Sequence, residues 1–407
     1  MLGKRMIRMF EKIIRAIRPL LSPQRSGVGF ASFALRFPLL LSLLSACNTI
    51  AAPADDPATP IPYNPAPQRL NSPEYGIQAF LWWYVDRTAR GHIRLIEEMG
   101  FGWVKQVFAW RDLEGGEKGG FDWYRADRIV EMTQDAGLDL LVRLDHQPYW
   151  AQDPEVEEWL PDAPPADFQD FGDYCFALAS RYRGRIRAYE VWNEPNLARE
   201  WGGQPPDPAS YAGLLKVCYL GIKRADPEAL VISAGLAPTG TYDETAMPDM
   251  QFYQEMYEAG AAPYFDLLGV HAPGFMNPPE RSPDEAEADP ALAQRWLTFR
   301  HAEDVRRLMI AHGDAGKQIA ITEFGWTSDD RNPAYSWYAV SEEEKADYLV
   351  RAYTYAREHW SPWIGLMSSV YIADPDWTPI NEQYFWAITR PDGALLPGYV
   401  ALKKMEK

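Results

Sequence analysis

From residue 74 onward, short apolar runs alternate with longer stretches whose apolar residues recur every three to four positions. The runs are Tyr75–Leu81, Trp103–Trp110, Leu138–Asp145, Arg187–Asn193, Leu230–Leu236, Phe265–His271, Gln318–Phe324 and Ile364–Ile372. Apolar, β-branched and aromatic residues dominate them, as they do in strands buried on both faces. Helical periodicity fills the intervals at residues 87–99, 122–136, 167–183, 207–225, 249–259, 295–312 and 341–359, with a short segment near 397–405. Gly100, Gly137, Gly184, Gly260 and Gly313 stand where a left-handed residue closes a helix. Asp207-Pro208 reads as an N-cap followed by proline, and Ser341 with Glu344 as a capping box. Eight strand–helix units predict one α/β domain, a (β/α)8 TIM barrel with enlarged βα loops. A doubly wound sheet is the alternative, but no glycine-rich phosphate turn follows the first run.

The chain ahead of this pattern is different. Residues 1–36 carry eight Lys and Arg against the single acid Glu11. A short apolar run, residues 37–44, and Ser45-Ala46-Cys47 follow. The run is far below the roughly 20 residues that a spanning helix needs, so residues 1–46 read as a signal peptide. Leu44-Ser45-Ala46-Cys47 resembles the bacterial lipobox, which implies cleavage before Cys47 and lipidation of its thiol. Acyl chains on Cys47 would hold the mature protein at a membrane surface, each buried methylene contributing about 0.8 kcal/mol. An ordinary secretory signal with a chance cysteine is the other reading. Residues 47–73, with prolines at 53, 57, 60, 62, 65, 67 and 73, read as a semi-rigid tether to a domain spanning 74–407. The expected location is extracytoplasmic and membrane-anchored.

Composition narrows the chemistry. Loss of residues 1–46 would take the net charge from −17 to −24, which disfavours nucleic acid and other polyanions as partners. Three cysteines and six histidines show neither a CxxC pair nor an HExxH, so no metal or other cofactor is expected. Cys175 and Cys218 each lie in a helical segment and read as small buried thiols, with a disulfide between them as the alternative.

In a barrel of this kind chemistry collects at the C-terminal ends of the strands. The fourth run ends Trp192-Asn193-Glu194-Pro195, and the seventh ends Ile321-Thr322-Glu323-Phe324-Gly325. Two carboxylates facing one cleft from opposite sides of the ring are the requirement for cleaving a glycosidic bond. The two motifs together resemble clan A glycoside hydrolases, over roughly residues 74–407 and in a style similar to family 39, then family 5. That resemblance implies Glu194 as acid/base, Glu323 as nucleophile, Asn193 on the sugar 2-hydroxyl, and retention through a covalent glycosyl-enzyme. Glu194 would then need a raised pKa, from dry surroundings to which Trp192 contributes and from the nearby Glu323 charge.

Other candidates for sugar contact are His146, His271, Trp150, Trp326, Tyr371 and Trp377, all at strand ends or in the loops that follow. A tyrosine common after strand six in the clan has no counterpart, since Ala272-Pro273-Gly274 follows His271. An arginine contact to the nucleophile has no secure counterpart either. Lys105-Gln106 is polar within an apolar run, so one of the two is expected to point into the barrel. The reading is a hydrolase of β-linked neutral glycans or glycosides. A sugar-binding lipoprotein without catalysis, or a transglycosylase, are the alternatives.

Overall fold

The computed structural model describes residues 70–407. The signal peptide, the lipobox with Cys47, and most of the tether lie outside the described residues. Eight parallel strands close into a barrel in sequence order. They are β1 (Glu74–Gln78), β2 (Trp103–Ala109), β3 (Asp139–Asp145), β4 (Ala188–Val191), β5 (Leu230–Ser233), β6 (Leu267–His271), β7 (Gln318–Phe324) and β8 (Ile364–Ser369). Strand β8 returns to pair with β1 from Glu74↔Leu366 to Ile77↔Ser369.

Around it run α1 (Asp86–Met99), α2 (Tyr124–Asp135), α3 (Phe168–Arg181), α4 (Pro208–Ala225), α5 (Asp249–Glu258), α6 (Ala302–Ala311), α7 (Glu342–His359) and α8 (Pro397–Lys404). All five signalled glycines have positive φ, between 67° and 83°. The carboxylate of Asp207 accepts from the N–H groups of Ala209 and Ser210, and Ser341 with Glu344 forms the full capping box. The sixth helix is shorter than its periodicity predicts. Two 3-10 turns, Arg295–Leu297 and Phe299–His301, precede it.

Helices α3 and α4 pack closely because Gly172 and Gly221 face each other. A Cβ on Gly221 would lie 2.5 Å from the Gly172 carbonyl oxygen. Their cysteines, Cys175 and Cys218, are joined in a disulfide with Cα atoms 5.3 Å apart. The reading of two free thiols is therefore corrected. The cause is a helix approach that depends on two glycines in different segments.

The barrel interior changes character from bottom to top. Trp103, Leu141, Ala188, Ile232, Leu267, Ala320 and Leu366 form an apolar layer, closed below by Leu70. The Leu70 N–H donates to Gln318 Oε1 at 2.9 Å. Side chains on one face recur every second residue. Two positions on from Trp103, Leu141 and Ala188 stand Lys105, Arg143 and Glu190. The inward face thus turns from apolar to charged as the strands rise toward their C-terminal ends. Lys105 Nζ lies 2.8 Å from Glu190 Oε2, both fully buried, so these two charges are paired inside the barrel.

Candidate active site

Backbone irregularity aims the side chains at the barrel mouth. Between β6 and β7 the register moves from Val270↔Ile321 to His271↔Glu323, so one extra residue, Thr322, sits in β7. Without that bulge Glu323 would follow the outward alternation of Ile321; with it, the carboxylate turns into the barrel. At the end of β4, Trp192 and Glu194 adopt φ of 74° and 40°. His146 after β3 has φ 57°. Such values cost a non-glycine residue on the order of 1–3 kcal/mol and persist where surrounding contacts enforce them. The Glu194 N–H donates to the Gly235 carbonyl at 3.0 Å, one of those contacts.

Glu194 and Glu323 line the same two joined cavities. The smaller, about 120 Å³, is walled by Phe324, Val370, Tyr371 and Trp386. The larger, about 570 Å³, adds Gln78, Arg143, His146, Asn193, Glu200 and Trp377.

The two carboxylates have different partners. Glu323 Oε1 lies 3.1 Å from Lys105 Nζ and 3.5 Å from Arg143 Nη1. The Tyr371 hydroxyl reaches Glu323 Oε2 at 3.4 Å. Burial alone would raise the pKa of Glu323, but the charges of Lys105, His271 and Arg143 outweigh it and lower it to about 2. Glu194 Oε1 lies 2.9 Å from His271 Nδ1, and its other oxygen 3.2 Å from Arg199 Nη2.

Here the sequence expectation is corrected. Burial and the Glu323 charge do push the Glu194 pKa up, yet the hydrogen bond and charge of His271 overcome them and lower it. For His271 the signs reverse. Burial lowers its pKa, but the charge of Glu323 and the contact with Glu194 raise it above the usual value. Each group thus favours the charged form of the other, which places the proton expected on Glu194 within the Glu194–His271 pair.

Asn193 is fixed at both ends of its amide. Arg143 Nη1 donates to its Oδ1 at 2.9 Å, and its Nδ2 donates to Glu200 Oε2 at 3.2 Å. His146 bonds to Asp145 through Nδ1 and lies 3.0 Å from Asp162 through Nε2. Burial would lower its pKa, but the Asp145 charge and hydrogen bond raise it to about 9. His146 is thus a fixed cation at the cleft wall. Tyr371 and Trp377 pack against Phe80 and face the larger cavity.

Two expected contacts and one expected wall residue lie elsewhere. Trp326 is fully buried, its indole N–H donating to the Asn277 carbonyl at 2.9 Å, so no sugar reaches it. Trp150 donates to the Glu114 carbonyl at 2.6 Å and packs on Trp110, beneath its loop and away from both cavities. Trp192, read as part of the dry wall, packs outward on Phe171 and Trp201. His271 does reach the cavity, but as the partner of Glu194.

Sequence reading missed Arg143, Gln78, Glu200 and Glu382, all of which line the larger cavity. Arg143 supplies the arginine contact to Glu323 for which no counterpart had been found. Its signal was available: a charged residue inside the buried run Leu138–Asp145 needs a partner within the barrel. Lys105, not Gln106, is the residue that points inward; the Gln106 Oε1 accepts from the Leu81 N–H.

No family model matches the chain. A β-xylosidase of Geobacillus stearothermophilus is 27% identical over 179 residues, which make up 42% of this chain and 34% of that protein. The chain thus matches about a third of the length of that relative. A family 39 glycoside hydrolase from Bacteroides cellulosilyticus WH2 superposes with a TM-score of 0.60 at 21% identity, covering 82% of this chain and 63% of the other. A GH5_18 protein from Streptomyces cattleya, solved with GlcNAc, gives 0.59 at 16% identity, covering 82% and 80%. At these identities the structural likeness is one of fold, and the fold shared is the closed (β/α)8 barrel seen in glycoside hydrolases.

Proposed function

We propose that this protein is a retaining glycoside hydrolase acting on β-linked neutral glycans or glycosides, with Glu323 as nucleophile and Glu194 as acid/base. One observation carries the reading. Two half-buried carboxylates share a cavity, one beside two fixed cations and the other on an imidazole. Glu323, ionised down to a pKa of about 2, is ready to attack an anomeric carbon at any physiological pH. The leaving oxygen takes its proton through Glu194 from the pair formed with His271.

Formation of the ester neutralises Glu323, and both members of the pair then hold a proton less tightly, since the Glu323 charge raises each of them. The deprotonated pair is the base that activates water in the second step. Asn193, held by Arg143 and Glu200, presents a fixed amide edge toward a sugar hydroxyl. The β-xylosidase relative favours pentose substrates as the first to try.

The proposal includes export and a lipid anchor on Cys47. The Cys175–Cys218 disulfide supports it, because such bonds persist in oxidising compartments. A panel of aryl β-glycosides and neutral polysaccharides, run against Glu194→Gln as the blank, tests the activity. Turnover of at least one substrate, lost in the variant, is the expected result. Uniform inactivity of the wild type would end the reading.

A further inference from the structure

Two indoles outside the cavities stand open to solvent on the loops that follow β1 and β3. Trp83 is 62% exposed and Trp159 44% exposed. Each is stacked by an arginine. The Arg125 guanidinium lies 4.3 Å from the centroid of the Trp83 ring, and that of Arg111 lies 5.6 Å from the Trp159 ring. A cation over one face fixes the ring and leaves the opposite face open.

Both rings are tied to cleft-lining residues by short paths. Trp83 follows Phe80, which lines the larger cavity and packs on Trp377. Trp159 precedes Asp162, which binds the cavity residue His146, and the backbone N–H of Arg111 donates to the His146 carbonyl at 2.9 Å. Asp112 lies 4.0 Å from Arg111. The two rings thus stand on the loops that follow β1 and β3, and the same loops carry Phe80 and His146 on the wall of the larger cavity.

We propose that Trp83 and Trp159 form a stacking platform that extends the cleft and holds further sugar units of a neutral glycan chain. This rests on the glycosidase reading and deepens it, since the substrate becomes a chain rather than a small glycoside. The apolar face of a pyranose covers an indole, and rings held in place lose little freedom on binding. The occupant is the continuation of the chain in the cleft because the loops that carry the two rings also carry Phe80 and His146 on the cavity wall.

The test uses soluble β-1,4-linked xylo-, cello- and manno-oligosaccharides from disaccharide to hexasaccharide. Calorimetry in the Glu194→Gln protein reads binding, and wild-type turnover reads cleavage. Affinity should rise with chain length in at least one series. Trp83→Ala and Trp159→Ala should each remove about tenfold for the longest chain, with a loss of under twofold for the disaccharide. Unchanged melting temperatures would exclude a folding defect. Affinity independent of length, or an equal loss at every length, overturns the platform. Length-dependent binding without any cleavage sustains the platform and ends the glycosidase reading, whereas cleavage with length-independent binding does the reverse.

Discussion

Under the proposed mechanism, replacing His271 with phenylalanine separates two accounts of where the proton for the leaving group resides. His271 Nδ1 faces Glu194 Oε1 at 2.9 Å, and this contact is what keeps the Glu194 pKa below its ordinary value of 4.5 despite burial. In the wild type the last proton lost from the pair leaves an imidazole whose pKa lies above 6.5. In His271→Phe the proton must sit on the carboxyl itself. The ordinary values of the two groups are 6.5 and 4.5, and each unit is worth 1.36 kcal/mol. Burial and the Glu323 charge, no longer opposed by His271, raise Glu194 and return part of that difference.

The alkaline limb of kcat/KM should therefore move toward acid. The acid limb, set by Glu323 near 2, should stay below the measurable range. The assay is initial rate against pH on an aryl glycoside, with circular dichroism at each pH to exclude unfolding. The maximum should also fall roughly ten- to a hundredfold, as expected when a positioned proton donor loses its partner. An alkaline limb that stays in place or moves to higher pH would refute the shared-proton account. It would show Glu194 holding its own proton, with His271 merely packing beside it.

Other outcomes follow from the same geometry. Glu323→Ala should lose many powers of ten in rate and give an inverted product with azide, whereas Glu194→Ala should show a burst of phenol from activated substrates and give a retained azide product; chiral analysis of the azides decides. Gly235→Ala would place a Cβ 2.1 Å from His271 Cδ2 and 2.6 Å from Thr322 Oγ1, so it should abolish most turnover, as initial rates would show. Reduction of Cys175–Cys218, which closes a 43-residue separation, should cost about 4 kcal/mol by loop entropy and lower the melting temperature measured with and without dithiothreitol. Glu323, depressed from 4.5 to about 2, stabilises the fold above pH 4.5, and that contribution should fade as pH drops from 4.5 to 2 in chemical denaturation curves. EDTA should leave the rate unchanged, since two carboxylates suffice for the chemistry.

The barrel was legible because its signals are local. Glycines at 100, 137, 184, 260 and 313 mark helix ends through their own backbone preference, and the buried strands announce themselves as apolar runs. Glu194 and Glu323 were legible for a related reason: they stand where strand character stops. What escaped depends on three-dimensional register. Strands β2 and β3 are buried on nearly all positions of both faces, so the sequence did not say which of Lys105 and Gln106 points inward or that Arg143 meets Glu323. The bulge at Thr322 that turns Glu323 inward is defined only by its pairing with β6. Trp326 was misplaced because its indole is buried and donates to the Asn277 carbonyl in the loop after β6, a partner that strand-end position alone does not reveal. The protonation of Glu194 was misjudged because its controlling group, His271, lies 77 residues away on another strand.

The central claim is that Glu323 forms a bond to the sugar. A 2-deoxy-2-fluoro analogue of an aryl glycoside that the wild type turns over, carrying a dinitrophenyl leaving group, slows the second step more than the first and lets the intermediate accumulate. Intact mass followed by peptide mapping should show one fluorosugar per chain, on the peptide containing Glu323 and absent from Glu323→Gln. Release of dinitrophenol with no mass added to the protein, or a label on any other carboxylate, would contradict the account.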